Sequence, residues 1–166
     1  MRAKTIQHSA DFIKKNMKKI GEGTESETYF DGNYAYKVVK SDLVPEPADI
    51  IKNHVGKNYK NVSNMYDAWK DPEDYTIIKM EKLEKLPTVT DEEEFEKVQY
   101  ILWTETFDEI IDLPYIAEDT KDPEIKKMVQ SIYDAAKELN ITHMDIGFHN
   151  LMYDPKTDEY KQIDIF

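Results

Sequence analysis

The sequence predicts an α+β protein, because strand-like segments fill its first half and helical segments dominate its second half. Within the first 82 residues, short runs rich in β-branched and aromatic side chains alternate with turn residues. Between residues 91 and 140, apolar side chains instead recur every three or four positions, which is the spacing of one helix face. Strands followed by helices are typical of α+β folds. We therefore expect two lobes within one domain, residues 1–82 and residues 83–166.

Composition narrows the classes of function. The chain has 166 residues, enough for one domain or for two small lobes that share a core. Its 34 acidic and 22 basic residues give a net charge of −12, which disfavours unspecific binding to nucleic acid or to an anionic membrane. The absence of cysteine excludes disulfides and cysteine-based metal sites. With neither a signal peptide nor an apolar run long enough to span a bilayer, the sequence predicts a soluble cytoplasmic protein.

The first element is a short helix. Ser9 and Asp11 are suited to cap a helix over residues 10–19, whose lysines lie toward the C-terminal end, where positive charge is favourable. Ile13 and Met17 lie among charged residues on this segment, so we expect the helix to cover one side of a sheet.

A β-hairpin follows. Residues 20–30 and 34–39 have strand character, and Asp31-Gly32-Asn33 between them is a typical turn sequence. Gly21 and Gly23 form a glycine-rich turn at the start of the hairpin. Glycine lets backbone amides approach a phosphate closely, so this turn is a candidate phosphate-binding loop.

The rest of the first lobe alternates helix and strand. Prolines break the chain after the hairpin, and a short helix is expected from Pro47 or Ala48 to Val55. Two further strands are predicted over residues 62–66 and 74–80, with residues 68–73 as their connection.

Two helices dominate the second lobe. Asp91-Glu92-Glu93-Glu94 suits a helix start, because acidic groups complement the positive N-terminal end of the helix dipole. The second helix begins at Asp122-Pro123 and ends at Asn140. We expect buried stripes on both helices, formed by Phe95, Val98, Ile101 and Leu102 on the first and by Ile125, Met128, Val129, Ile132, Ala135, Ala136 and Leu139 on the second.

The last part of the chain concentrates polar side chains. Asp145 and Asn150 lie five residues apart, too far for neighbours on one helix face, so a chain that directs both toward one point is a loop. The next residues predict a hairpin, with strands over 151–153 and 160–163, that would return Asp164 to the side of Asn150. An amide and two carboxylates around a small volume suit Mg²⁺, which takes oxygen ligands.

This loop resembles a known motif. His143, Asp145 and Asn150 are in register with the catalytic loop of the protein-kinase-like family, H-R-D-L-x-x-x-N, with Met144 in place of the arginine. Asp164 stands where the aspartate of the family's D-F-G motif is expected.

The first lobe carries the same resemblance. Gly21, Gly23 and Ser26 resemble the family's G-x-G-x-x-G loop, with serine at the third glycine, and Lys37 stands where the lysine of V-A-I-K is expected. The motifs follow the family's order from about Gly21 to Asp164. The resemblance therefore implies a kinase-like fold, with an N-lobe antiparallel sheet that includes a helix, followed by a reduced, mainly helical C-lobe.

The resemblance also implies ligands and roles. ATP and Mg²⁺ would bind, with Lys37 fixing the phosphates. Asp145 would accept or orient the proton of an attacking hydroxyl, and Asn150 and Asp164 would hold the metal.

Two further contacts follow from the resemblance. An acidic side chain on the short helix would pair with Lys37, and Asp49 matches that position more closely than Glu46. Backbone groups around Glu81 to Leu83 would hydrogen-bond the adenine.

Two functions are compatible with this resemblance. The first is a minimal kinase that moves the γ-phosphoryl group of ATP to a serine or threonine hydroxyl of a protein or of itself. The alternative is a catalytically inactive kinase-like module that binds a protein partner. Ile165 and Phe166 replace the phenylalanine and glycine of D-F-G, and we expect the family's activation segment and later C-lobe helices to be absent. A protein substrate would then need a docking surface from a partner or from a second copy of the chain.

Overall fold

The chain forms an α+β structure of two compact units. The computed structural model describes residues 5–104, 114–140, 148–163 and 165–166. The first unit comprises residues 1–58 and 64–82, and the second comprises residues 59–63 and 83–166. The predicted α+β class is confirmed.

The first unit is built on a five-stranded antiparallel sheet. The elements of this unit are α1 (Ala10–Asn16), β1 (Lys18–Glu22), β2 (Ser26–Phe30), β3 (Ala35–Lys40), α2 (Pro47–His54), β4 (Met65–Lys70) and β5 (Tyr75–Met80). The strand order in the sheet is β1-β2-β3-β5-β4. The helix predicted between the third and fourth strands is present as α2, and α2 packs against β4.

Helix α1 covers one face of this sheet. Ala10 and Ile13 of the helix are buried in a cluster with side chains that alternate along the strands, namely Tyr29, Tyr36, Val38, Trp69 and Ile77. Such alternation follows from the two-residue repeat of a strand, which sends successive side chains to opposite faces. The helix therefore has the covering role that its apolar residues predict.

One carboxylate fastens α1 to the sheet. Asp71, in the turn between β4 and β5, accepts the backbone N–H of Ala10 through Oδ2 at 2.8 Å. Its Oδ1 accepts the N–H groups of Glu73 at 3.0 Å and Tyr75 at 2.9 Å. The same side chain thus shapes the turn and satisfies a donor at the helix N-terminus, which has no intrahelical partner.

Helix α1 is shorter than its sequence predicts. The Ser9 side chain caps it as expected, accepting the Phe12 N–H at 3.2 Å. It ends at Asn16 rather than Lys19, because Lys18 already begins β1 and pairs with Phe30 of β2. Strand pairing overrides the helical preference of the lysines, as tertiary context commonly does.

The turn between β2 and β3 agrees with its prediction, whereas the strand run predicted over residues 20–30 forms two paired strands, β1 and β2. Asp31 closes the turn by accepting the N–H groups of Asn33 at 2.7 Å and Tyr34 at 2.8 Å and the hydroxyl of Tyr36 at 2.8 Å. Burial alone would raise the pKa of Asp31, but these hydrogen bonds hold it below its ordinary value. Gly32 has φ of +103°, a conformation that favours glycine.

The fourth strand lies further along the chain than predicted. We expected a strand over residues 62–66 and a connection over 68–73, whereas β4 runs from Met65 to Lys70. The side chain of Trp69 explains the difference, because it is buried against α1 and its indole N–H donates to the His8 carbonyl at 2.8 Å. The residues next to the strand do not reveal this contact, because His8 lies 61 residues earlier in the chain than Trp69.

The second unit is mainly helical. Its elements are α3 (Glu92–Thr104), α4 (Tyr115–Asp119), α5 (Pro123–Leu139), β6 (Leu151–Asp154) and β7 (Glu159–Gln162), with a 3₁₀ turn at Phe148–Asn150. Strands β6 and β7 form the expected antiparallel hairpin. Asp122 caps α5 by accepting two backbone N–H groups, and Asn140 ends it in the left-handed region with φ of 48°. The predicted stripe on α5 is buried except at Leu139.

Residues 59–63 belong to this second unit although they lie between α2 and β4 in the chain. The Glu138 carboxylate accepts the N–H of Asn61 at 3.0 Å. Gln162 donates its N–H to the Asn61 carbonyl at 2.8 Å, and its own carbonyl accepts the N–H of Ser63 at 3.0 Å. The segment therefore extends the β6–β7 hairpin along β7.

Length and polarity decide whether a helix can cross a membrane. Within the described ranges, every helix is too short or too polar to cross a membrane.

Candidate functional site

The predicted glycine-rich turn lies at one end of the sheet of the first unit, with Gly21 inside β1 and Gly23 directly after this strand. Gly21 is paired with Thr28 across β1 and β2, and the Gly23 N–H donates to the Ser26 carbonyl at 2.8 Å. A Cβ added at Gly21 would lie 3.7 Å from the Thr28 Cβ, and one at Gly23 would lie 3.5 Å from the Ser26 Oγ. These are ordinary contacts, so the hairpin itself would accept a methyl group at either position.

Lys37 lies in the middle of β3, directly opposite Thr28 on β2 and Ile78 on β5. Its chain neighbours Tyr36 and Val38 are buried against α1. Because successive side chains of a strand point to opposite faces, Lys37 lies on the face away from α1. The register thus aligns Gly21, Thr28 and Lys37 in one row across three strands, where directly opposite residues share a face.

The acidic partner predicted for Lys37 lies on α2. Asp49 is in the first turn of this helix, and its side chain is exposed, as is that of the alternative Glu46. The neighbouring Ile50 is instead fully buried. The exposure of both acids does not favour an ion pair with the half-buried Lys37.

The segment predicted to bind adenine follows β5. The Glu81 side chain accepts the Asn64 N–H at 2.8 Å, and the Glu81 N–H donates to the Asn64 carbonyl at 3.0 Å. Leu83 is buried in the second unit. Glu84 then exchanges two backbone hydrogen bonds of 2.8 Å with Tyr153 of β6. These bonds fix the backbone on both sides of residues 82 and 83.

The polar loop of the second lobe is described only in part. Asp145 lies outside the described residues, as do His143 and Asp164. Asn150 is 8 % exposed and ends the 3₁₀ turn that leads into β6. Its carbonyl accepts the Ile163 N–H at 2.9 Å, so the hairpin returns to Asn150 at residue 163, next to the predicted position 164.

A buried ion pair organises the tip of this hairpin. The Asp154 Oδ2 lies 3.5 Å from the Nζ of Lys161, and both side chains are nearly inaccessible. Asp154 also accepts the Lys156 N–H at 3.0 Å and the Thr157 hydroxyl at 3.0 Å. Burial opposes ionisation, but these donors and the lysine hold the pKa of Asp154 below its ordinary value.

The predicted magnesium site lies partly within the described ranges. There, no group of three or more His, Cys, Asp or Glu side chains is placed to hold a metal ion. Of the predicted magnesium ligands, Asn150 lies inside these ranges and Asp164 lies outside them. The side-chain amide oxygen of asparagine is a ligand of the kind that Mg²⁺ accepts, so Asn150 has suitable chemistry for the predicted site.

Two features of the second unit were not predicted from the sequence. The five-residue helix α4 is too short to show a helical repeat. It borders a groove of about 370 Å³ with α3, whose apolar lining includes Val98, Ile101 and Ile116. The role of Glu138 was also not predicted, because the backbone N–H groups of Lys60 and Asn61 that donate to its carboxylate lie far away in the chain.

Comparison with known proteins adds no relative: no protein-family model and no curated protein matches this chain.

Proposed function

We propose that the chain is a minimal, kinase-like phosphotransferase that moves the γ-phosphoryl group of ATP to a hydroxyl of a protein or of itself. The observation that carries the proposal is the row of Gly21, Thr28 and Lys37 across three paired strands. A phosphate over this row would meet backbone at the glycine turn and a lysine ammonium two strands away. Lysine binds phosphate as a point charge, and its position on a central strand limits its movement.

The glycines give separate support. The fold leaves room for a methyl group at Gly21 and Gly23, and neither residue has a positive φ. Packing and backbone conformation therefore do not require glycine at either position. The β1–β2 register shifts between Lys19 and Gly21, and such an irregularity is one reason for glycine at position 21. Close approach of a ligand to the backbone is a second reason, and it applies to both glycines.

The order of elements also supports the proposal. A glycine turn, a strand lysine, a helix, two strands, a helical unit and a polar hairpin follow one another along the chain. In the proposed mechanism, Asp145 accepts the proton of the substrate hydroxyl. The oxygen of that hydroxyl attacks the γ-phosphorus, and ADP leaves. Asn150 and Asp164 would hold Mg²⁺, which neutralises developing charge on the phosphates. The Glu81 N–H is already used by Asn64, so adenine would meet backbone groups at residues 82 and 83.

The second candidate is a non-catalytic kinase-like module that binds a protein. Two observations favour it: the exposure of Asp49 and Glu46, and the exposed aromatic side chains on α3 of the second unit. Both candidates share the fold, so activity must separate them.

Calorimetric titration with ATP, with and without Mg²⁺, followed by incubation with γ-labelled ATP, tests the proposal. We expect Mg²⁺-dependent binding and transfer of label to protein. Lys37→Met should weaken nucleotide binding by about tenfold or more, since one charged contact contributes on the order of 1.5–3 kcal/mol. Lys18→Met is the matched control, because Lys18 is an exposed strand lysine that pairs with Phe30 at the end of β1 away from the glycine-rich turn.

Two further variants separate binding from chemistry. Asp145→Asn should abolish transfer while nucleotide binding persists, and Asp164→Asn should weaken binding mainly in the presence of Mg²⁺. Nucleotide binding without transfer would favour the non-catalytic module. No binding of ATP under any condition, or equal effects of the Lys37 and Lys18 substitutions, would refute the assignment of this site.

A further inference from the structure

The net charge of the chain is confined to one unit. The first unit contains 13 acidic and 13 basic residues, whereas the second contains 21 acidic and nine basic residues. The whole excess of −12 therefore belongs to the second unit. A field of one sign over a single unit attracts partners of opposite charge and repels others.

Helix α3 presents part of this charge together with exposed aromatic rings. Glu92, Glu96, Tyr100 and Trp103 follow one another at spacings of four, four and three residues, so they lie along one side of the helix. We call these four residues the α3 stripe. Tyr100 is 62 % and Trp103 75 % exposed. The buried residues of α3, Val98 and Leu102, lie on the opposite side.

Ordinary helix stabilisation accounts for only part of the stripe. Acidic groups in the first turn complement the helix dipole, which gives a reason for Glu92. The dipole effect fades beyond the first turn, so it gives no reason for Glu96. Within the described part of the chain, neither of these carboxylates has an ion-pair partner, and neither ring of the stripe contacts another ring or a cation.

Two neighbouring large aromatics are costly to leave in water and are frequent anchors of protein interfaces. Tyrosine and tryptophan are enriched among residues that dominate binding energy, and adjacent exposed rings mark interaction surfaces. The rings occupy the C-terminal half of the stripe and the carboxylates its N-terminal half. An arginine or lysine can pair with the carboxylates, and an arginine can also stack on an indole or phenol ring.

We propose that the α3 stripe is a docking surface for a basic, arginine- or lysine-rich segment of a protein partner. The stripe is about 16 Å long at 1.5 Å per helical residue, which about five residues of an extended peptide would span. This docking needs neither nucleotide nor metal, so it holds whether or not the chain is a phosphotransferase. If the chain is one, the stripe selects substrates with basic residues near the acceptor hydroxyl.

The test uses a fluorescein-labelled peptide of alternating arginine and serine, about ten residues long so that it exceeds the stripe. The control peptide has glutamate in place of arginine. Binding is followed by the anisotropy of the fluorescein label and by the change in tryptophan emission, in the full chain and without ATP. We expect the arginine peptide alone to bind, with an affinity that falls as salt increases because exposed charges are screened.

Variants locate the surface. Trp103→Ala and the double substitution Glu92→Gln, Glu96→Gln should each weaken binding about tenfold, a typical loss for an interface anchor. The double substitution should also flatten the salt dependence. Tyr66→Ala removes an exposed ring in the first unit and should leave the affinity unchanged. All four of these side chains are exposed, so the variants should fold, and circular dichroism checks that they do.

Three results would overturn the proposal. The first is equal binding of the glutamate peptide, and the second is unchanged affinity in both α3 variants. The third is concentration-dependent self-association that Trp103→Ala removes, which would identify a second copy of the chain as the occupant. Failure of ATP binding with intact peptide binding would refute the proposed phosphotransfer and leave this inference standing.

Discussion

Replacing Asp71 tests how strongly α1 is fastened to the sheet. Asp71→Ala removes a carboxylate that accepts three backbone N–H groups, from Ala10, Glu73 and Tyr75. The Ala10 N–H is buried and would lose its partner outright, whereas Glu73 is exposed, so water can replace part of its bond. A hydrogen bond to a charged group contributes about 1.5–3 kcal/mol, and an unsatisfied buried donor costs about 1–3 kcal/mol. We expect a total loss of about 3–5 kcal/mol in the free energy of unfolding.

Asp71→Asn refines the same prediction. The amide oxygen can replace Oδ1 toward Glu73 and Tyr75, but the NH₂ group that replaces Oδ2 cannot accept the Ala10 N–H. The loss should therefore be smaller, about 1.5–3 kcal/mol, which is the contribution of one charged hydrogen bond. Asp42→Ala is the control, because Asp42 is exposed in the first unit, and surface changes are usually within about 0.5 kcal/mol.

Urea unfolding followed by tryptophan emission measures these losses. The chain has two tryptophans, and a Trp103→Phe background leaves Trp69 to report on the unit that contains Asp71. Trp69 is well placed, since its indole N–H donates to His8 beside α1. A loss below about 1 kcal/mol for Asp71→Ala, the contribution of one ordinary hydrogen bond, would show that the carboxylate does not fasten the helix.

Three further predictions concern stability. Ile50→Ala should lower the free energy of unfolding by about 2–5 kcal/mol in a urea titration, because Ile50 is fully buried. Ile51→Ala should change this free energy little, because Ile51 is exposed. Equal effects of the two substitutions would contradict the packing of α2. Burial lowers the pKa of His54, so its neutral form is favoured in the fold, and stability should fall as the pH drops below 6.5; His54→Gln should reduce this slope in a pH series of thermal melts. The pKa of Asp154 is lowered, so its contribution is present near neutral pH and is lost as the pH falls from about 4 through that lowered value. Asp154→Asn should show a shallower acid transition by circular dichroism, and an unchanged profile would argue against the ion pair with Lys161.

Local signals in the sequence predict several elements well. The Asp-Gly turn and the caps at Ser9 and Asp122 work as expected, because each involves residues only a few positions apart. The stripe on α5 is equally local, since a helical repeat is visible in any long amphipathic segment.

Elements that depend on distant partners could not be predicted. The end of α1 is set by the pairing of Lys18 with Phe30, and the position of β4 by the contacts of Trp69 with α1. Of the candidate site, the strand position of Lys37 and the return of the hairpin to Asn150 follow from local patterns. The exposure of Asp49 does not, because the orientation of α2 depends on how Ile50 packs.

The assignment of residues 59–63 to the second unit has a consequence for synthesis on the ribosome. These residues are synthesised before the Glu138 carboxylate and the Gln162 backbone that bind them. Their hydrogen bonds can therefore form only after some eighty to a hundred further residues have been added to the chain. The chain also passes between the units three times, after residues 58, 63 and 82. A cut between residues 82 and 83 would consequently separate a helical fragment from the short segment that completes its hairpin. Neither half can be expressed as a faithful copy of its unit unless residues 59–63 are moved to the other polypeptide.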